Sequence, residues 1–322
     1  MKNFKFIFTV FLILLLGLIA LEPTKYIQAA LNGLSAWTFN VLPALLPFMI
    51  ISKIIISLQT LDGLNRFLTV PCQKLYGCDG QAGYVYFLSI MAGYPVGSKI
   101  TADLYQAGKI SRAQALRMSA FCSNSGPMFI IGTVGALLLG SVKIGFILFF
   151  SHILSALLNG IIYRKINKQQ KDNAHHERNS EQIKGNFLLE NNFLNKQTQE
   201  FSFGDIVSES VKSVLNVGGI ICFFFIIIEA LSPIFSILPS ALVPLTEGAI
   251  ELTRGCIDAV NLPINLGSII CSFLISFGGF STIMQSMAML KKVKMPVWLF
   301  SIMKLSQGII SALLTAVLLF IF

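Results

Sequence analysis

Apolar residues in this chain gather in long blocks rather than at the spacing of a half-buried surface helix. The blocks cover residues 6–21, 44–58, 128–139, 144–163, 214–231, 266–277 and 297–322. A helix needs about 20 mostly apolar residues to cross a bilayer, and several of these blocks reach or approach that length. The pattern predicts an all-α polytopic membrane protein.

The first block follows Lys2 and Lys5. It is long, and no small-x-small cleavage site follows it directly, so residues 1–25 read as an uncleaved N-terminal anchor helix with a cytoplasmic N-terminus. Residues 28–39 mix small, polar and apolar types and are too polar to span; an interfacial helix with Trp37 at headgroup depth is expected. Residues 84–92 are too short to cross. Gly93, Tyr94 and Pro95 break them, and a polar stretch with Lys99, Asp103 and Gln106 follows. A short helix, a break and a polar helix predict a re-entrant hairpin, because irregular backbone at membrane depth must be covered by protein or line a cavity. Residues 111–139 then cross with a break at 123–127, and 144–163 cross back. Arg164, Lys165, Lys168 and Lys171 mark that end as cytoplasmic. Residues 164–205, rich in Asn, Gln and charge and without periodicity, read as a flexible cytoplasmic linker. They separate a first repeat unit with its connecting span (26–163) from a second (206–322).

The halves can be laid on each other. Asn40-Val41 and Asn216-Val217 each open a span, and Lys53 and Glu229 follow at the same spacing. FLSIMAGYPVGS pairs with SFLISFGGFST, and SAFCSNSG (119–126) with SIMKLSQG (301–308). The expected architecture is two inverted repeats, each a span, a re-entrant hairpin and a broken span, as in secondary transporters that hold substrate near the midplane. Lys291, Lys292 and Lys294 conflict with this topology: either the second hairpin crosses fully, or these lysines serve another purpose.

Composition agrees with a membrane chain. Of 322 residues, 54% are hydrophobic and only 12% charged, against about 25% charged in soluble domains. The net charge of +9 sits mainly at the flanks of apolar blocks, so it reports topology and not a nucleic-acid partner. The bilayer is the partner to expect, and assembly into a homo-oligomer stays open. Six cysteines (72, 78, 122, 222, 256, 271) show no CxxC and no adjacent histidine. They read as free apolar thiols, with a Cys72–Cys78 pair as the alternative. His175 and His176 fall in the linker and read as solvated, with a metal role as the alternative. No nucleophile–base set, phosphate loop, zinc spacing or Walker sequence appears, so no enzyme activity, cofactor or metal is expected.

The candidate chemistry lies at four breaks that the repeat should bring together: 93–97, 123–127, 278–281 and 306–308. A helix restarting at Ser/Asn/Gly-Pro presents free N–H groups and favours an anion; Pro127 suits its first turn. The substrate-binding set is Gly93, Tyr94, Pro95, Gly97, Ser98, Lys99, Ser123, Asn124, Ser125, Gly126, Gly278, Gly279, Ser281, Lys304, Ser306 and Gln307. Lys304 stands within the last span, and charges at depth are costly enough to suggest function. Asp103, Glu229 and Glu251 are candidate ion-coupling acids. Glu247 and Glu251, one helical turn apart, are expected to share a face, where they coordinate a cation, cap a helix or, in a solvated loop, do neither. For mid-span His152, a hydrogen-bonded helix contact is favoured over a proton relay.

GYPVGSKITADLYQAGKIS (93–111), followed by AFCSNSGP (120–127), resembles the YlbJ/SpoVV sporulation integral membrane proteins, with GYP-x-G-x-K and FC-x-NSGP blocks. EGAIELTRG and SFGGFS look like that family's second-half motifs. The resemblance covers nearly the whole chain except 164–205, and places it in the wider Gate or nucleoside-recognition group. It implies a role in endospore formation in the outer forespore membrane, with transport of dipicolinic acid, a flat aromatic dicarboxylate. Nucleoside-type or other small-solute transport, and a non-transporting role in forespore envelope assembly, are the alternatives.

Overall fold

A computed structural model describes residues 2–57, 62–166 and 202–321. Most of the linker, with His175 and His176, and the side chain of Lys53 lie outside the described residues. The first half runs α1 (Lys2–Leu21), α2 (Pro23–Ala36), a π-type stretch Trp37–Val41, α3 (Leu42–Ser57), α4 (Asp62–Tyr76), α5 (Gln81–Ala92), α6 (Val96–Gln106), α7 (Arg112–Met118), a π-type helix Met128–Leu138 and α8 (Val142–Ile162). The second half runs α9 (Phe203–Phe235), α10 (Val243–Ile250), α11 (Leu252–Ala259), α12 (Ile264–Phe277), α13 (Gly279–Leu290) and α14 (Val297–Ile321). No strand occurs among the described residues. Among the described residues, four stretches are long and apolar enough to cross a membrane: Val142–Lys165, Phe203–Phe235, Ile264–Val293 and Val297–Ile321. A fifth arises if Thr9–Leu21 and Pro23–Val41, which meet at 106°, form one span. The chain is a polytopic all-α membrane protein.

Four details differ from the sequence reading. First, α2 packs along α9 instead of lying alone at the interface. The Trp37 indole N–H donates to Val214 O at 3.2 Å, and its ring fills the space a Cβ on Gly218 would need, 2.6 Å away. Trp37 is a packing residue because α9 offers a glycine notch for it.

Second, residues 264–293 do not fold back as a hairpin. α5 and α6 pack on each other, whereas α12 and α13 continue as a 30-residue stretch of spanning length. This removes the lysine conflict. Arg112 of α7 donates to Val293 O and Lys294 O, both at 3.0 Å. Arg117 of the same helix donates to Ile166 O at 3.3 Å and Gly77 O at 2.9 Å. Arg112, Arg117, Arg164, Lys165 and Lys291–Val293 with Lys294 therefore gather at one end of the molecule.

Third, residues 306–308 do not break a helix. α14 is continuous through them, with Gln307 and Gly308 buried. Pairing 119–126 with 301–308 is therefore not reproduced: one member is uncoiled and the other helical.

Fourth, Glu247 and Glu251 do not share one helix face. The chain breaks between α10 and α11, and Glu251 is the extended residue at the break (φ −137°, ψ 115°).

Candidate functional site

The uncoiled segment 119–127 is set up locally. Ser111 and Gln114 form a capping box that starts α7: the Ser111 hydroxyl accepts from Gln114 N at 3.2 Å, and Gln114 Oε1 accepts from Ser111 N at 2.9 Å. After Met118 the small polar residues compete for backbone groups. Asn124 Nδ2 donates to Phe121 O at 2.7 Å and closes a tight turn. Phe121 is buried and stacks on Tyr76, with centroids 4.6 Å apart. Pro127 then opens the π-type helix.

Two glycines let this segment meet the GYP break. Gly93 ends α5 at φ +74°, a conformation only glycine adopts cheaply. A Cβ there would sit 3.3 Å from Gly126 N. The Tyr94–Pro95 bond is cis. Gly97 lies against the Cys122 carbonyl, where a Cβ would overlap the oxygen and come within 2.5 Å of Ser89 Cβ. The third break joins the other two through Tyr94, whose hydroxyl donates to Ile275 O at 3.3 Å and lies 3.5 Å from a Cβ on Gly278. A fourth break, at Glu251, closes the ring: Gly279 faces Gly248 O and Leu252 N at 2.8 and 3.2 Å from its virtual Cβ.

These four interruptions surround one partly open cleft. Its polar lining is Tyr94, Ser125, Glu251, Thr253, Thr282 and Gln285. Leu45, Phe129, Val217 and Ile221 form an apolar wall. Of the predicted set, Gly93, Tyr94, Ser125, Gly126, Ser281 and Glu251 line the cleft, and Gly278 and Gly279 flank it. No Lys or Arg is among the lining residues.

Lys304 stands behind Tyr94, 1% exposed. Its ammonium donates to Tyr94 Oη at 2.8 Å, Ser123 O at 2.9 Å and Gln307 Oε1 at 2.7 Å. Three donors meet three acceptors, and none is a carboxylate. The ammonium also lies 5.0 Å from the Tyr94 ring centroid. Asn124 belongs to this sealed network rather than to the cleft wall: Nδ2 also donates to Ser89 Oγ at 2.8 Å, and Oδ1 accepts from Gln307 Nε2 at 3.3 Å. Ser98, Ser123 and Ser286 form a hydroxyl chain, with links of 3.4 and 3.3 Å. Ser306 donates to Asn159 Oδ1 at 2.7 Å and contacts the Tyr163 hydroxyl.

His152 of α8 is fully buried. Ser125 N–H donates to Nε2 at 3.1 Å and Nδ1 lies 2.8 Å from Ser276 Oγ. With Nε2 accepting, a neutral ring carries its proton on Nδ1 and donates it to Ser276. It is thus a hydrogen-bonded contact joining two of the breaks. Lys99 and Asp103 are exposed on α6, away from the cleft, and Glu229 pairs with Lys25 at 3.6 Å. Cys72 and Cys78 are both free thiols. Among the described residues no cluster of His, Cys, Asp and Glu suits a metal.

The break at Glu251 is the part that sequence reasoning missed. Packing decides it: glycines at 248 and 255 let α10 and α11 cross closely, since a Cβ on Gly255 would overlap Gly248. Glu251 Oε2 accepts from Arg254 N at 2.8 Å and caps α11. The residue is 3% exposed. Burial pushes its carboxyl up to about 7, against the opposing hydrogen bonds from Arg254 N and Thr253. Arg254 in turn pairs with Glu247 at 2.9 Å.

Compared with known proteins, the chain is 27% identical over 330 residues to the sporulation integral membrane protein YlbJ of Bacillus subtilis, covering 96% of this chain and 81% of the relative. The chain is similar to YlbJ over nearly its whole length. That bears out the resemblance carried by the GYP-x-G-x-K and FC-x-NSGP blocks, and the structure gives those blocks a physical task. Gly93 and Gly97 of the first provide the two points at which its backbone touches the second. No family profile and no solved structure matches the chain.

Proposed function

We propose that this chain is a sporulation membrane transporter that moves a small aromatic dicarboxylate of the dipicolinate type across the outer forespore membrane. The observation that carries this is the convergence of four helix breaks on one cleft, the arrangement in which broken helices bind solutes in secondary transporters. The sporulation setting is taken from the relative's name, and the solute from the family resemblance. The basic end of the molecule, with Arg112, Arg117 and the lysines near 291, is the cytoplasmic end in this reading. Tyr94 and Phe129 are aromatic residues in the cleft lining, a residue type that suits a flat solute.

A second reading, a neutral nucleoside-like solute, is favoured by one specific observation: hydroxyl and amide groups line the cleft and no cation does. Full-length protein in liposomes should take up labelled dipicolinate, with nucleoside as the competing substrate. Lys304→Ala and Asn124→Ala, which remove the network that holds Tyr94 and the uncoiled segment at the cleft, should each lower the rate by about tenfold or more. Absence of flux under every ion gradient would overturn the transport reading. Normal spore dipicolinate content in an Asn124 variant that localises correctly would favour an assembly role instead.

A further inference from the structure

The cleft poses an electrostatic problem for any anion. The one ionisable carboxyl on its wall is Glu251, while the nearest buried ammonium, Lys304, is sealed behind Tyr94 with all three donors used. A dianion entering beside an ionised, buried carboxylate would meet like-charge repulsion in a poorly solvated site, where such repulsion is costly. The conflict disappears if the carboxyl is neutral when the solute is present.

We infer that Glu251 is the proton-carrying group of this cleft: it takes one proton from water on the loading side, holds it on its carboxyl while the dianion is bound, and returns it to water on the release side. The inference rests on the proposed carriage of a dicarboxylate through this cleft. Geometry supports it. The residue stands at a helix break on the cleft wall. One oxygen is fixed by Arg254 N at 2.8 Å, which a neutral carboxyl retains through its carbonyl oxygen.

The charged and titratable groups around it are few. Arg254 and Asp258 share its helix, and Glu247 on α10 pairs with Arg254. Glu229 on α9 is paired to Lys25 on α2, beside Tyr26. Cys256 faces Cys271 of α12, and Tyr94 stands across the cleft. α13 and the π-type helix carry no titratable side chain. Arg254, the cation on the same helix, is occupied by Glu247 and Asp258, so it leaves Glu251 little reason to ionise. The raised carboxyl range of Glu251, from burial, agrees with proton exchange near neutral pH.

The experiment uses the full chain in liposomes, with labelled dipicolinate as probe and the membrane potential clamped at zero. One proton per solute gives about a tenfold accumulation for each pH unit of inward proton gradient. Wild type should accumulate solute to that degree. Glu251→Gln should lose the gradient response, read as the ratio of uptake with and without the gradient, and Glu251→Asp should retain it. In detergent, dipicolinate binding at pH 8 should take up about one proton per solute in the wild type and none in Glu251→Gln. Thermal unfolding of each variant is recorded alongside, since the carboxamide oxygen can still cap α11. Flux or binding without proton uptake overturns the inference and leaves the transport reading standing. A full gradient response in Glu251→Gln overturns the assignment to this residue. Neither binding nor flux in the wild type overturns the transport reading and the inference with it.

Discussion

Residues 119–126 and 301–308 face each other across one polar network, and only the first is uncoiled. Both open on Ser and two apolar residues and close on polar residues and glycine, with Lys304 in the middle of the second. The first ends in Gly126-Pro127 and has three polar residues in succession that compete for the backbone. The second has no proline, and one glycine in a helix costs only about 1 kcal/mol. Gly308 also packs on the Phe273 ring at 3.0 Å from its virtual Cβ, so its place in the helix has a packing reason. Uncoiling frees backbone groups at membrane depth, and these must be satisfied by protein. They are: Ser123 O accepts from Lys304, Ala120 O from Asn159 at 2.8 Å and Phe121 O from Asn124, while Ser125 N donates to His152. Two straight helices thus cap the broken segment, α14 through Lys304 and α8 through Asn159 and His152. Lys304 and His152 are buried polar groups because a neighbour's backbone needs them, whatever else they do.

The largest effect that breaks this contrast should come from Gly97. Its virtual Cβ overlaps the backbone carbonyl of Cys122, and no rotamer change relieves a clash with backbone. Gly97→Ala should destabilise the protein by more than about 3 kcal/mol, seen as loss of folded, monodisperse protein on purification or a large fall in unfolding midpoint. Gly219, with nothing within 4 Å of its virtual Cβ, is the control and should accept alanine with little change. A Gly97→Ala protein of normal stability would mean that the uncoiled segment does not sit against α6.

A smaller effect should sharpen the asymmetry between the two blocks. Asn124 anchors the uncoiled side with three hydrogen bonds, to Ser89, Phe121 and Gln307. Asn124→Ala takes one buried hydrogen bond from each of those partners, a loss of about 2–4 kcal/mol. Gln307 sits in a helix that satisfies its own backbone, and Lys304 keeps two other acceptors. Gln307→Ala should cost about 1–2 kcal/mol. The double mutant should reveal a coupling of about 0.5–1 kcal/mol for the 3.3 Å link. Equal single costs would show that the segment is held from both sides alike.

Which features were legible follows the same logic. The breaks at 93–95 and 123–127 were visible because Gly, Pro and Asn in runs leave the backbone no helical option. So were the all-helical class and the short helix before GYP. The meeting of Tyr94, Ser123, Asn124, Lys304 and Gln307 was anticipated from the idea of converging breaks, although α14 takes part unbroken. The break at Glu251 was not legible, because nothing in AIELT forbids a helix; close crossing at Gly248 and Gly255 decides it. Trp37 misled for a related reason. Aromatic residues near polar stretches suggest an interface, and only the notch at Gly218, more than 180 residues away in sequence, shows that the ring is packed. Lys99 and Asp103 looked like residues at depth next to a break, but the amphipathic face of α6 turns them outward.

The smallest expected effect asks what holds the break open. Pro127 lies at φ −62°, ψ −35° at the start of the π-type helix, where a missing N–H is tolerated because the first N–H groups of a helix have no internal partner. If Pro127 alone caused the break, Pro127→Ala would let α7 run on toward residue 128 and would withdraw Ser123 O and Ser125 N from Lys304 and His152. The contacts argue otherwise, since four side chains from outside the segment or at its centre hold its backbone, and recoiling would take one hydrogen bond each from buried Lys304, His152 and Asn159, at about 1–3 kcal/mol each. Pro127→Ala should therefore cost no more than about 1 kcal/mol, mostly through the freer unfolded chain, and should leave hydrogen exchange of the Ser125 amide slow. Rapid exchange there, or a gain in helical signal, would transfer the cause of the break from the tertiary network to the proline.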